Sequence, residues 1–340
     1  MSRALDPDAK ASITTLDSYS VYTDIVQALN PNTSALLDIE LLGKSHPLPP
    51  GCNILIDGNS IAIPKLKLVQ AFVFARQLFF KCLKDLKEDT LQDILNTSAV
   101  ILLLDPEHIT AANARKRVIQ EYEKGTKAAL EIALGRELLA TDSFLTSRLH
   151  RHTKSPTLWG HRRWLLENFK SINFAHNIQR DLDTVVLVAA ERHPRNYYAW
   201  LHMRWVLQNF QHSDSSGYAI YSQASKTISV VKDWCLRHPV DTSGWSFLLF
   251  CLFTLEPSNR LIEINSPICK EVLGLAASFQ WTHESVWVFL RTLVATREIE
   301  EEQRVSFFKR IEANISSLPE DSKARATLRA AKSWCIDNSV

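Results

Sequence analysis

Between Ser143 and Leu166 the chain carries no acidic residue, while Arg148, Arg151, Lys154, Arg162 and Arg163 supply positive charge and His150, His152 and His161 stand among them. Cations grouped in this way suit a diphosphate or the acidic face of a partner protein. The plainer reading is a solvated, positive junction between helices. His150-x-His152 with His161 also offers nitrogen ligands, but no carboxylate or cysteine completes a set and helical residues two apart diverge, so no metal is expected in this chain. Cys52, Cys82, Cys235, Cys251, Cys269 and Cys335 are scattered without a C-x-x-C pair and read as reduced thiols. With no Gly-rich phosphate loop and no nucleophile elbow in the sequence, a stand-alone enzyme is the weakest reading.

These residues must be positioned by helices. The chain has 340 residues, 46% hydrophobic, with 9 glycines and 13 prolines placed mostly between apolar periodic stretches; that pattern predicts helices joined by short turns. A formal net charge of +2 argues against a nucleic-acid binder. The first residues form no apolar signal core, and the longest apolar run, Ala99 to Leu104, is too short to span a bilayer, so a soluble, cytoplasmic protein is expected. Residues 1–64 read as an irregular N-terminal extension with one helix near Ser18 to Leu29; its apolar pieces NILI and IAI admit short β pieces as an alternative, but irregular packing against the first helices is expected. Residues 65–340 read as a helical-hairpin repeat domain, beginning with one long amphipathic helix from Lys65 and another from Leu91.

Internal repetition decides the architecture. Five segments align without gaps on an anchor column formed by Ala112, Trp159, Trp200, Trp245 and Trp287, spaced 47, 41, 45 and 42 residues apart. Each spacing is one helical hairpin. Four residues before the anchor stand His108, Ser155, Asn196, Asp241 and His283, three of them preferred N-cap types, so the anchor falls in the first turn of a helix. Six and seven residues after it come the apolar pairs Val118/Ile119, Leu165/Leu166, Val206/Leu207, Cys251/Leu252 and Leu293/Val294, about two turns along the same face. Four residues after it stand Lys116, Arg163, Arg204, Leu249 and Arg291, and Pro106, Pro194 and Pro239 stand six before it.

Such hairpins cannot bury their apolar surfaces alone, so they must stack, and the expected fold is an all-α, right-handed α-α superhelix. Burying about 200 Å² of indole at ~25 cal/mol per Å² contributes roughly 5 kcal/mol before entropy, which makes the anchor tryptophans packing groups first. The basic column is expected to lie across a neighbouring indole and meet the adjacent hairpin. The acidic run Glu298 to Glu302 reads as a solvated helix start or turn.

SPTLWGHRRWLL and RNYYAWLHMRWVL resemble the repeat of protein prenyltransferase α subunits, P-x-N-Y-x-x-W-x-H-R-x-x-L, over about residues 65 to 300. DPEHITAANARKRVI and KSPTLWGHRRWLL are similar to the first and second repeats of the branch made up of α-subunit repeat-containing proteins. The chain departs from the pattern at Ala112, where the family has Trp, and at Met203, where Arg is usual. The fourth repeat has lost its basic residues.

The resemblance implies an α-type subunit of a heterodimeric protein prenyltransferase that is not active alone, with geranylgeranyl the favoured lipid and farnesyl left open. The zinc ion, the lipid pocket and most of the chemistry would lie in a partner β subunit, and this chain would hold no cofactor. By the family's pattern Lys154 would contact the isoprenoid diphosphate, with Asn196 and Tyr197 near it, although Ser155 and Pro156 replace the usual Asn-Tyr beside Lys154. Trp159, His161, Arg162, Arg163, Trp200, His202 and Arg204 would serve the partner interface or repeat packing. The protein substrate would bring a C-terminal cysteine to the complex. The competing reading is a non-enzymatic helical-repeat adaptor for protein–protein interaction; the spacing fits HEAT repeats better than tetratricopeptide repeats.

Overall fold

The structure is a computed structural model that describes residues 15–30, 34–43, 46–84, 87–172, 177–210, 217–255, 258–296 and 298–338. It is mostly helical. Two compact units divide it at residues 202 and 203, inside a helix and far from the boundary at residue 64 that composition suggests.

In the first unit, α1 (Thr15–Leu29) leads into three strands, β1 (Asp38–Leu42), β2 (Leu55–Asp57) and β3 (Ser60–Pro64). The expectation of irregular packing for NILI and IAI is corrected here: β1 pairs parallel with β3 and β2 antiparallel with it. Two local features make the sheet. Gly58, with φ 56°, takes the left-handed position in the two-residue connection from β2 to β3. Ile61 and Ile63 alternate into the core beside Ile39 while Ser60 faces out, the period of a half-buried strand. The sheet is tied to the helices, because the Arg148 amide donates to the Ile39 carbonyl (2.9 Å) and the Leu37 amide to Ser143 Oγ (3.1 Å).

The helices of this unit are α2 (Lys65–Cys82), α3 (Leu91–Leu104), α4 (Ile109–Glu123), α5 (Lys127–Leu145) and α6 (Pro156–Ser171). They are followed by α7, in which Ile178–Arg180, a π-helical stretch Asp181–Val186 and Leu187–Arg192 run on as one rod, and by the start of α8 (Tyr197–Phe210). The second unit takes up the remainder of α8 and continues through α9 (Gly217–Arg237), α10 (Thr242–Thr254), α11 (Leu261–Ser278), α12 (Glu284–Ala295), α13 (Glu301–Ser317) and α14 (Lys323–Asn338).

Each anchor residue lies in the first turn of its helix and is buried, as are all five apolar pairs six and seven residues further on. The capping column holds in full at backbone level: α4, α6, α8, α10 and α12 begin directly after His108, Ser155, Asn196, Asp241 and His283. Histidine substitutes for a standard cap once, His108 Nδ1 accepting from the Ala111 amide at 3.1 Å, whereas His283 makes no side-chain cap. Asp241 caps two amides, those of Ser243 and Gly244, each at 3.0 Å. Pro106, Pro194 and Pro239 follow the ends of α3, α7 and α9, where a residue lacking an amide proton stops the helix. Glu300 is the N-cap of α13 and Glu301 and Glu302 form its first turn, where negative charge meets the positive helix end. Among the described residues no helix is long and apolar enough to cross a membrane.

Candidate functional site

The turns that enter α6 and α8 each lie against the turn of the preceding repeat, because their caps reach back to it. Ser155 Oγ accepts from the Leu158 amide and donates to the Pro106 carbonyl, both at 3.1 Å. Asn196 repeats the device: Oδ1 accepts from the Ala199 amide (3.3 Å), and Nδ2 donates to the carbonyls of Thr153 (2.6 Å) and Ala189 (3.3 Å). The same Thr153 carbonyl receives the Trp159 indole N–H at 3.0 Å. Pro106 and Thr153 each stand six residues before their own anchor, so the repeat is a three-dimensional one. In the second unit the Trp287 indole donates to the Trp281 carbonyl, again six residues back, at 2.8 Å.

At this edge Lys154 Nζ stands 5.4 Å from the centroid of the Tyr197 ring, a cation–π contact. Tyr197 is half exposed and lies against Tyr198, ring centroids 4.1 Å apart. His150 and His193 pack with centroids 3.9 Å apart, and His193 Nδ1 lies 3.1 Å from the His150 carbonyl oxygen. Burial, then the neighbouring His150 and Lys154 charges, push the His193 imidazole below its ordinary pKa.

The acid-free stretch is therefore not a uniform positive field. Arg148 binds Asp38 (3.0 Å), Arg151 binds Asp105 (3.1 Å), Arg163 binds Glu167 (3.1 Å), and Arg162 is buried between Asp142 and Asp181. Every one of these acids comes from outside the stretch. Lys154 alone of its five cations has no carboxylate partner among the described residues. The three histidines separate: His150 joins His193, His152 Nε2 meets the Leu102 carbonyl at 2.9 Å, and His161 Nε2 meets Glu137 at 2.7 Å. Of the trio Lys154, Asn196 and Tyr197, the structure brings Lys154 and Tyr197 together and commits the Asn196 amide to backbone carbonyls.

Residues 158–272 match the ECM9 middle domain family. No curated protein matches the chain significantly. The ECM9-like span opens at Leu158 beside the Trp159 anchor, takes in α8 and α10, and ends within α11. It therefore holds most of a charged core arrangement that no single repeat reveals. Arg162 Nη1 and Nη2 donate to Asp181 (2.9 and 2.7 Å) and Nε donates to Asp142 (2.7 Å). Arg162 Nη1 also lies 2.7 Å from His202 Nε2. A guanidinium has no acceptor, so His202 must present its lone pair there. One repeat earlier Arg115 grips Glu137 through Nε (2.7 Å) and Nη2 (2.6 Å), and His161 closes on the same carboxylate.

In both clusters the arginine stands three residues after an anchor, one acid (Glu137 or Asp181) lies on the second helix of that hairpin, and the histidine stands two residues after the next anchor; Arg162 also reaches Asp142 on α5 of the preceding hairpin. Burial alone would raise the Glu137 carboxyl, but Arg115 and His161 outweigh it and hold it at about 2. Burial and the neighbouring Asp181 push Asp142 up against the pull of Arg162.

Trp159, His161, Arg162, Trp200 and His202 are thus buried packing groups, and Trp159 lies 5.1 Å from the His202 ring, as Trp245 lies 4.9 Å from Phe289. The basic column does bridge repeats, but onto the residue five after the next anchor: Lys116 stands over Trp164 (5.4 Å) and Arg204 over Phe250 (4.6 Å). Glu137, Asp142 and Asp181 escape the sequence alignment because they lie on the second helices. The readable signal was the offset that Arg115 and Arg162 share, followed in each case by His161 or His202 one repeat later.

Proposed function

We propose that this chain is an α-type subunit of a heterodimeric protein prenyltransferase of the geranylgeranyl kind, a cytoplasmic scaffold of hairpins stacked as a right-handed α-α superhelix around a zinc-bearing β subunit. The observation that carries this reading is how the Trp-x-His-Arg motif is used. Trp159 directs its indole N–H to the turn that enters its own helix, and His161 and Arg162 direct their polar groups to neighbouring helices, which gives a rigid frame whose outer faces are left for a partner. On that frame Lys154 is a cation without a carboxylate, held over Tyr197, and suited to the charge that develops on a departing diphosphate. The β subunit supplies zinc and the lipid pocket, and the protein substrate supplies a C-terminal cysteine.

The engagement of Asn196 with two carbonyls favours a second reading, a helical-repeat adaptor that binds a partner without turnover. Capture of the tagged chain from its own cell extract, followed by transfer assays on the eluate with labelled geranylgeranyl and farnesyl diphosphates, separates the two. A co-purifying prenyltransferase β subunit with transfer activity supports the subunit. Other partners with no β subunit and no transfer leave the adaptor.

A further inference from the structure

On the first helices of three successive hairpins, the residue three before the anchor and the residue one after it are four apart and so share a face. In each of these helices both are exposed and neither is charged: Ile109 and Asn113, Pro156 and Gly160, Tyr197 and Leu201. Ile109 is 64% exposed and Leu201 57%, large values for side chains of this kind. The three helices are neighbours along this face, since Thr157 Oγ1 donates to Glu107 (2.6 Å) and Lys154 stands over Tyr197. The six residues therefore line up as one uncharged strip across α4, α6 and the start of α8, apolar but for the Asn113 amide and the Tyr197 hydroxyl.

The strip is bordered by Arg117, Lys154 and Arg195, with Arg163 beside it already paired to Glu167. The acids on the same face, Glu107 and Glu167, are already engaged by Thr157 and Arg163. A largely apolar centre with a basic border matches a protein surface that has an apolar centre and an acidic rim. It does not match a nucleic acid, which offers no apolar centre to cover Ile109 and Leu201.

We infer that this strip is the docking surface for the partner subunit, which presents an apolar patch rimmed by Asp and Glu. The inference rests on the subunit reading above and adds to it where the partner sits. Buried anchors at the centre of such a patch dominate affinity, while the charged border sets salt dependence and association rate.

The test is calorimetric titration of the full chain with a purified, zinc-loaded prenyltransferase β subunit, using wild type, Ile109→Glu, Leu201→Glu and, as a control on another face, the 57% exposed Ile132→Glu on α5. The expected result is a tenfold or greater rise in Kd for Ile109→Glu and Leu201→Glu, no change for Ile132→Glu, equal melting temperatures for all, and weaker wild-type binding at high salt. If wild type binds and both strip variants bind as tightly, the strip is not the docking surface, and the subunit reading stands. If wild type does not bind the β subunit at all, the subunit reading itself falls and the strip assignment with it.

Discussion

Arg162 holds Asp181 through both terminal nitrogens in a wholly buried pair, and Arg115 holds both oxygens of Glu137 one hairpin earlier. Each pair is completed by a histidine of the next repeat, so the charged core couples neighbouring hairpins as well as the two helices of one. A buried ion cluster of this sort adds little net stability over an apolar core, but breaking it is costly.

Replacing Arg162 by Met leaves the Asp142 and Asp181 carboxylates buried without their main partner. A loss of about 3–5 kcal/mol in unfolding free energy is expected, against a change within about 0.5 kcal/mol for Arg163→Met, whose ion pair with Glu167 is exposed. Denaturant unfolding of the two variants measures the contrast. Adding Asp142→Leu and Asp181→Leu to Arg162→Met should recover part of the loss.

Glu137 has an ordinary pKa of 4.5 and is held at about 2 in the folded chain. Its contribution, roughly 3 kcal/mol by linkage, is present above pH 4.5 and lost as pH falls towards 2. Unfolding free energy of wild type minus Glu137→Gln should therefore shrink across that window and be constant above it.

His152 titrates in a higher window. Burial lowers its imidazole from 6.5 to about 4, so the neutral ring stabilises the fold above pH 6.5 and that stability is lost as pH falls through 4. In His152→Gln the amide takes over the contact with the Leu102 carbonyl and cannot titrate. Melting temperature should fall more steeply between neutral and mildly acid pH in wild type than in the variant.

Two glycines inside helices should respond oppositely to alanine. At Gly135 on α5 an added Cβ meets nothing within 4 Å, so Gly135→Ala should stabilise by about 0.5–1 kcal/mol through helix propensity. At Gly244 on α10 the Cβ would lie 2.5 Å from Trp234 Cζ3 and 3.3 Å from Cys235 Sγ. Overpacking of about 1–3 kcal/mol outweighs the propensity gain there. Thermal melts of both variants give the two signs directly.

The first helix of each hairpin was legible because its signals are local. A cap, an anchor in the first turn and an apolar pair two turns on recur at fixed offsets, and all five anchors and pairs are buried, although His283 makes no side-chain cap. The second helices carry no shared column, so Glu137 and Asp181 fall 22 and 19 residues after their arginines, and the clusters become visible only in space. The π-helical stretch that carries Asp181 has no sequence mark. The sheet was missed because β2 is three residues long and β1 pairs with β3 across an intervening segment, a non-local contact that a short alternating pattern does not announce. At the site, the charge count of the stretch from Ser143 was plain, but its neutralisation by Asp38, Asp105 and Asp181 depends on packing from elsewhere in the chain.

We propose above that this chain is the scaffold half of a prenyltransferase. The most direct test of that proposal is the rate of transfer from labelled geranylgeranyl diphosphate to a protein with a C-terminal cysteine, by the purified β subunit alone, with this chain, and with Lys154→Ala. Negligible transfer by the β subunit alone, transfer when the chain is added, and a slower rate with Lys154→Ala even at saturating β subunit are expected. Binding of the β subunit with no transfer under any condition, or transfer that does not depend on the chain, would contradict the proposal.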